Sequence, residues 1–429
     1  METPLVIQRF TSEADYLGVK SFNDVRYVLW TETVKIWKLA FPMALSGLFQ
    51  FLTNSLTSIY AGHLGGIELS SISVYQGVIS SIYFYLLFGM SSALATLCGQ
   101  AFGAGKIQST CIYVQRSWII LVITIVILLP IFVYATPILK FLGQEKGIAD
   151  LAGKYSIQII PHIFSFAITL PIQIFLQAQS KVKVIMCISF VVLLMQNGLL
   201  YLFINVCGWG TIGLAMANNI TGWGYAVALV VYAIGWCKEG WNGWSMMAFK
   251  DLWTFTKLCL ASSVMTCLEQ WYATCIVLLI GQLDNPVITV GSYSIWLALD
   301  TAPWNKCGHE SLLLGIIFMT VIFLSKDNFA IIFTNSVVIG SGWQVMVAYV
   351  NLVCYYIVGL PIGIFLGFKQ QLGVKGLWVG ALCGRTLQLL VLLLITWKTN
   401  WTKEVEQTAS RLQIWSSSSI QKDITESVI

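Results

Sequence analysis

The sequence predicts an all-α, polytopic helical membrane protein, and three observations carry that reading. Of the 429 residues, 57% are hydrophobic and only 10% are charged. Soluble domains carry about 25% charged residues, so this chain cannot clothe a soluble body of its length. The mean hydropathy of +0.78 points the same way. The 17 tryptophans and 17 tyrosines suit the headgroup interfaces at the two faces of a bilayer.

The elements follow in chain order. Residues 1–35 hold Glu2, Glu13, Asp15, Asp24 and Glu32 without a long apolar stretch, which reads as a cytosolic N-terminal tail and not a cleavable signal. Runs long enough to cross a hydrocarbon core of about 30 Å then lie at 39–60, 74–98, 117–139, 155–178, 184–206 and 212–236. These six make a first lobe, 36–236. Residues 237–255 form an inter-lobe loop, and further runs at 256–281, 312–334, 345–367 and 374–397 make a second unit, 256–397. Ten spans result. Residues 398–429, with four serines at Ser416 to Ser419 and mixed charge, read as a disordered cytosolic tail.

Orientation follows from the distribution of lysine and arginine, which stay on the cytoplasmic side. Arg9, Lys20, Arg26, Lys35, Lys38, Lys106, Arg116, Lys181, Lys183, Lys238, Lys250 and Lys257 fall on one side, against Lys140, Lys146 and Lys154 on the other. The N-terminus is therefore expected inside, and the even number of spans brings the C-terminus back to the same side.

Several local patterns exclude other chemistries. Gly99 to Lys106, GQAFGAGK, has the look of a phosphate loop, but Gln100 stands where the first glycine is required and Ile107 where the magnesium-binding hydroxyl belongs. The bland reading is a tight cytoplasmic turn between the second and third spans. Cys307, His309 and Glu310 are the one cluster resembling a metal site, and the zincin pattern fails at Leu313. The 11 cysteines are scattered through apolar runs with no disulfide framework, so no metal and no cofactor is expected. Thr289 to Tyr293 carries the wrong order for a potassium filter. The sequons at Asn219 and Asn400 fall in a span and in the cytosolic tail, where no glycan is added. A net charge of +5 without a basic run gives no nucleic-acid footprint.

A repeat is visible between the halves. A shift of 219 superposes Lys38 on Lys257, Leu39 on Leu258, Gly62 on Gly281 and Leu64 on Leu283. Near the end of each half, Gly210 to Leu214 pairs with Gly373 to Leu377 at a shift of only 163, so the second half is shorter by 219 − 163 = 56 residues. That deficit is room for two spans with their turns. The fold expected is two lobes of six-helix repeats related by pseudo-two-fold symmetry, the second abbreviated, with about ten spans in place of twelve.

The motifs FPMALSGLFQF, YAGHLGGIELSSISV, TLCGQAFGAGK, FLQAQ, CLEQWY, GSGWQ and GVKGLWVG resemble, taken together, plant members of the multidrug and toxic compound extrusion family. The resemblance runs from about residue 35 to residue 400. It implies a monomeric, proton-coupled antiporter, not an enzyme, that exports small organic compounds such as xenobiotics or secondary metabolites across the plasma or vacuolar membrane. Its partners would be a small organic substrate, protons and the lipid bilayer, with no nucleic acid. The chain departs from the family after Gly291 to Ile295, where the eighth-helix region is missing, and at Thr334 to Ser336, where the tenth is missing. A truncated, non-transporting variant is the alternative expectation.

Of the 19 carboxylates only Glu269 lies well inside a predicted span. An ionisable group at that depth is costly and is a functional candidate by default, the competing role being a protonated acid that merely bonds a neighbouring helix. The resemblance implies that it carries the coupled proton. Gln270, Trp271 and Tyr272 beside it offer hydrogen bonds and an aromatic face. Subtracting the shift, 269 − 219 = 50, places Gln50 at the equivalent position of the first lobe, where it cannot titrate. Proton coupling is thus expected in the second lobe alone. Gln50, Asn54, Gln76 and Asn197 are candidate substrate-lining amides, each equally suited to bonding one helix to another. Arg385 is the sole basic residue deep in a span, placed to meet Glu269 or an anion, or to snorkel to the interface. A membrane enzyme would need a second reactive group converging on Glu269, and the sequence supplies none.

Overall fold

The computed structural model describes residues 22–103, 105–238, 240–241, 243–250, 252–280 and 342–399. The expected span at 312–334, the Cys307–His309–Glu310 cluster, Thr289 to Tyr293, Asn400 and the chain ends lie outside the described residues.

Every described element is helical. The first, α1 (Phe22–Leu64), includes Pro42 and begins well before the expected span, so the last part of the presumed tail continues the same helix. Then come α2 (Gly66–Val74), a π-helical segment (Tyr75–Ser80) and α3 (Ser81–Gly103), which together make the second span. The third is α4 (Ser109–Val133), which gives way at Tyr134 to the short α5 (Ala135–Phe141). The expected run at 117–139 is divided there because Pro137 has no N–H to bond the carbonyl of Val133.

The fourth run divides in the same manner. Helix α6 (Lys146–Gln158) ends one residue before α7 (Ile160–Ala178), with Pro161 in the first turn of the latter. Proline is tolerated at a helix start, where its missing N–H would be unpaired in any case. The first lobe closes with α8 (Val182–Leu200), extended by a π-segment (Tyr201–Val206), and α9 (Gly210–Trp236). A 3₁₀ turn (Met246–Phe249) precedes α10 (Leu252–Ile280), the expected seventh span. Beyond it are α11 (Gln344–Asn351), a π-segment (Leu352–Gly359), α12 (Leu360–Ile364), a second π-segment (Phe365–Lys369) and α13 (Val374–Lys398). By length and composition eight helical stretches among the described residues can cross a membrane; the 29-residue α10, which carries Lys257 and Glu269, is not among the eight.

The GQAFGAGK stretch ends α3 and is a turn, with no phosphate cradle. Gly105 adopts φ +71°, the N–H of Lys106 bonds the carbonyl of Ala101 at 2.8 Å, and that of Gly105 bonds Phe102 at 3.0 Å. This bond pair satisfies the last carbonyls of a helix and requires a left-handed residue, the role glycine fills at least cost.

Helices approach closely where side chains are small, which is how apolar helices associate in lipid. On α13, Gly376, Gly380 and Gly384 face the backbone of 354–367, and a Cβ at Gly380 would lie 2.4 Å from the Cα of Gly363. Between the lobes, Gly89 of α3 meets Ser263 of α10, whose Cα would be 2.6 Å from an added Cβ. Ser263 Oγ donates to the Leu86 carbonyl at 3.1 Å beside it, and Gln344 Nε2 donates to Thr96 Oγ1 at 3.0 Å. Thus α3 is the first-lobe helix on which the second lobe rests.

The inter-lobe loop is fastened to the first lobe. Buried Gln115 donates to the Gly243 carbonyl at 2.8 Å and accepts from the Ser245 N–H at 3.0 Å, and Arg116 Nη2 donates to the Met247 carbonyl at 3.2 Å. Trp118, Trp241 and Trp244 pack mutually with centroids 5.5–5.9 Å apart.

Candidate functional site

Two polar regions lie inside the helical bundle, one in each lobe. In the first, pairs of polar residues seven apart sit two turns apart on one face of a helix: Gln50 and Thr57 on α1, Ser189 and Gln196 on α8, Asn218 and Tyr225 on α9. They meet in two layers. In one, the Tyr225 hydroxyl lies 3.1 Å from Gln50 Nε2, 2.6 Å from Gln173 Nε2 and 3.1 Å from Ser189 Oγ, which in turn lies 3.1 Å from Ser46 Oγ. In the other, Gln196 Nε2 donates to Asn218 Oδ1 at 2.9 Å and to Thr57 Oγ1 at 3.3 Å, while Asn218 Nδ2 donates to the Tyr155 hydroxyl at 3.0 Å. The order 50–57 and 189–196 runs parallel and 225–218 against them, as alternating spans one, five and six require.

Beside these layers is a cavity of about 170 Å³. Its wall combines Gln50, Asn54, Gln173, Gln196 and Asn218 with the phenyl groups of Phe84, Phe88 and Phe166, and with His162 and Tyr225. No carboxylate, lysine or arginine stands among the described lining residues. The arrangement suits a guest with flat apolar faces and a few hydrogen-bonding groups.

The second region surrounds Glu269, which is partly buried on α10. One turn on, Tyr272 is buried with its ring stacked on that of Tyr355, centroids 4.7 Å apart and planes at 12°, and edge-on to Tyr356 at 5.9 Å. Both neighbours come from the π-segment Leu352–Gly359, and the wider π turn accompanies the meeting of two consecutive tyrosines with one ring. The Tyr272 hydroxyl fits a notch left by two glycines: an added Cβ would lie 2.7 Å from it at Gly359 and 3.4 Å at Gly384. Tyr355 donates to Gln388 Oε1 at 2.5 Å, and Gln388 Nε2 donates to Asn351 Oδ1 at 2.7 Å. Tyr355 lies within electrostatic reach of both Glu269 and Arg385. The repeat is legible here too, because the shift of 163 that joins the final helices takes Tyr225 to Gln388 and Gly222 to Arg385.

The predicted residues distribute unevenly between these regions. Gln50 and Asn54 line the first-lobe cavity. Gln76 lies in the π-segment Tyr75–Ser80 and accepts from Ser58, and Asn197 accepts from the Tyr60 hydroxyl at 3.2 Å, so both join helices and neither lines the cavity. Glu269 and Tyr272 belong to the second region, Gln270 is partly buried on the same helix, and Trp271 is 55% exposed. Sequence reading passed over Tyr225, Gln173, Asn218 and His162. The seven-residue spacing of amides and hydroxyls was the available signal for Asn218 and Tyr225; nothing comparable marks Gln173 or His162. Among the described residues no group of three His, Cys, Asp or Glu side chains could hold a metal ion.

The MatE family model matches residues 42–202. Protein DETOXIFICATION 34 of Arabidopsis thaliana is 44% identical, the match taking in 94% of this chain and 86% of the relative. Protein DETOXIFICATION 35 of the same plant is 43% identical over 98% and 99% of the two chains. That alignment occupies 481 positions against 429 residues here, so at least 481 − 429 = 52 positions of the relative have no counterpart. The crystal structure of the eukaryotic MATE transporter AtDTX14 is similar with a TM-score of 0.74 at 26% identity, covering 89% of this chain and 99% of that one. An outward-facing multidrug resistance MATE transporter of the MOP superfamily has the same fold, with a TM-score of 0.65 at 15% identity over 87% of this chain and 96% of its own.

Proposed function

Since the chain belongs to the multidrug and toxic compound extrusion family of membrane transporters, we propose that it is a proton-coupled antiporter for small organic compounds, with Glu269 as the coupling group. The observation that carries this reading is the placement of Glu269, a partly buried carboxylate midway along α10, within electrostatic reach of the stacked Tyr355, which Arg385 also reaches, whereas its repeat partner Gln50 in the first lobe cannot titrate. A buried acid that gains and loses a proton changes the local charge by a full unit, and in lipid such a change biases how helices pack.

Each pH unit across the membrane supplies about 1.4 kcal/mol per proton, enough for about tenfold accumulation at one-to-one exchange. The exporter works as a monomer, in the plasma or vacuolar membrane, with both termini on the cytoplasmic side. The two missing helices of the second lobe leave this chain with a low flux, because alternating access needs each bundle to close against a partner of matching shape.

The test is the pH dependence of substrate binding and flux in the full chain and in Glu269→Gln. If Glu269 carries the proton, the substitution abolishes the pH dependence of both; an unchanged pH profile would remove Glu269 from the mechanism.

A further inference from the structure

The inter-lobe loop sits deeper than a linker between two lobes needs to. Its backbone at Gly243, Ser245 and Met247 is bonded by Gln115 and Arg116 of α4, and Trp244 packs on Trp118 of the same helix with centroids 5.5 Å apart. These anchors stand six to nine residues after α4 begins at Ser109, which is about 9–14 Å along its axis. The 25-residue α4 is about 37 Å long, and the hydrocarbon core of a bilayer is about 30 Å thick. An upright helix of that length, centred in the bilayer, enters the core about 4 Å from its start. The loop therefore lies level with the outermost hydrocarbon and not in the water beyond the helix ends.

The two faces of the loop differ accordingly. Trp241 and Ala248 are buried, and Trp241 meets the Phe175 ring of α7 edge-on at 6.3 Å. On the other face Trp244 is 73% exposed and Met246 84%, and Phe249 and Trp253 are exposed as well. A single apolar side chain in water needs no cover, but a contiguous group of this size marks a surface that meets something.

Continuity identifies what it meets. Trp253 opens the exposed face of α10 that Leu260 and Val264 continue at helical spacing, and in a membrane span such a face meets lipid. Lys257 lies on the same face with its Nζ 5.4 Å from the centre of the Trp253 ring. An aromatic ring with a lysine reaching along it is the arrangement of a headgroup belt. Charge adds little, because Lys238, Lys250 and Lys257 are set against Glu239 and Asp251 in the same stretch of sequence.

We propose that the inter-lobe loop is an interfacial foot: Trp244, Met246, Phe249 and Trp253 insert into the acyl boundary of the leaflet at which α9 ends and α10 begins. The partner is the phospholipid itself, held by apolar burial, and the bonds to Gln115 and Arg116 pass that anchorage to the first lobe. The inference rests on the membrane fold and on neither proton coupling nor the substrate, so its failure would leave the exporter reading untouched.

The experiment uses the full chain in phosphatidylcholine nanodiscs, with the exposed Cys187, Cys207 and Cys383, and also Cys307, replaced by serine. A spin label is attached at Met246→Cys and, in a separate chain, at Phe249→Cys; both positions are exposed, so neither label displaces an anchor. Collision rates with oxygen, which concentrates in lipid, and with a water-soluble nickel chelate report the depth of the label. Val231→Cys on the exposed face of α9 is the lipid reference, and Glu145→Cys before α6 is the water reference. Both loop labels are expected about 5–10 Å into the headgroup and acyl boundary, with oxygen collisions outweighing nickel collisions as at Val231. The same depth is expected in discs that contain phosphatidylserine. Nickel access at both loop labels equal to that at Glu145 would overturn the proposal, leaving the face to an aqueous cleft or a soluble protein. Insertion that requires phosphatidylserine would overturn it too, because headgroup charge and not apolar burial would then hold the loop.

Discussion

Tyr225 shows what a single phenol can organise. A hydroxyl has two lone pairs and one proton, and here the amides of Gln50 and Gln173 fill the acceptor sites while the proton is shared with Ser189. Three helices besides its own are thereby tied to one atom. Hydrogen bonds between membrane helices average about 0.6 kcal/mol, so Tyr225→Phe is expected to cost about 2 kcal/mol for the three. Thermal or denaturant unfolding in detergent checks this, and a change below about 0.5 kcal/mol would mean that the layer rearranges without it. The residue scale also shows what sequence could not say. Glu269 stood out because a carboxylate is rare in an apolar run, whereas His162 looked like any residue near a proline-marked helix start. Its place in the cavity wall depends on Gly222 sixty positions later, a contact no local pattern encodes.

Among the elements, boundaries followed hydrophobic length and failed at two prolines, Pro137 and Pro161, while Pro42, Pro130 and Pro171 sit inside continuous helices. The runs near 184–206, 212–236 and 374–397 coincide with α8 and its π-extension, α9 and α13, since nothing in them interrupts the backbone bonds. The runs at 117–139 and 155–178 crossed Pro137 and Pro161, and the helices divide at Tyr134 and Ile159. Hydropathy sums are blind to a missing N–H. The π-segments were equally illegible, because a wider turn leaves composition unchanged. Packing between α3 and α10 rests on the absence of a side chain at Gly89. Gly89→Ala forces its methyl against the Ser263 backbone and should cost about 1–3 kcal/mol as the helices part. The same variant should break the Ser263–Leu86 bond and raise the yield of disulfide trapping between cysteines placed across a wider gap. An unchanged melting temperature together with unchanged cross-linking would show that the interface yields freely.

For the whole molecule, the decisive feature is asymmetry. The six-span first lobe was legible from run count, charge distribution and internal repeat, and the described helices bear out the all-α membrane fold. The second lobe was legible only as a shortage: 56 residues by the internal repeat, and at least 52 positions against DETOXIFICATION 35. In the proposed ten-span topology, loss of the eighth span would reverse the direction of the next one, and loss of the tenth would restore the last two. The proposed topology places both ends on the cytoplasmic side, in keeping with Lys398, Lys403, Arg411 and Lys422 near the C-terminus. Under that proposal the small-residue contacts of the two lost spans would go with them, and in lipid such contacts are a main force joining helices. The chain is thus proposed to carry an exporter's proton and solute groups in a frame that closes poorly. The most direct measurement places this chain and a version with its second lobe restored to full length in proteoliposomes under an imposed pH gradient. The prediction is gradient-driven efflux from the restored chain and a small fraction of it from this one. Equal flux from the two, or flux from the restored chain that ignores the gradient, would contradict it.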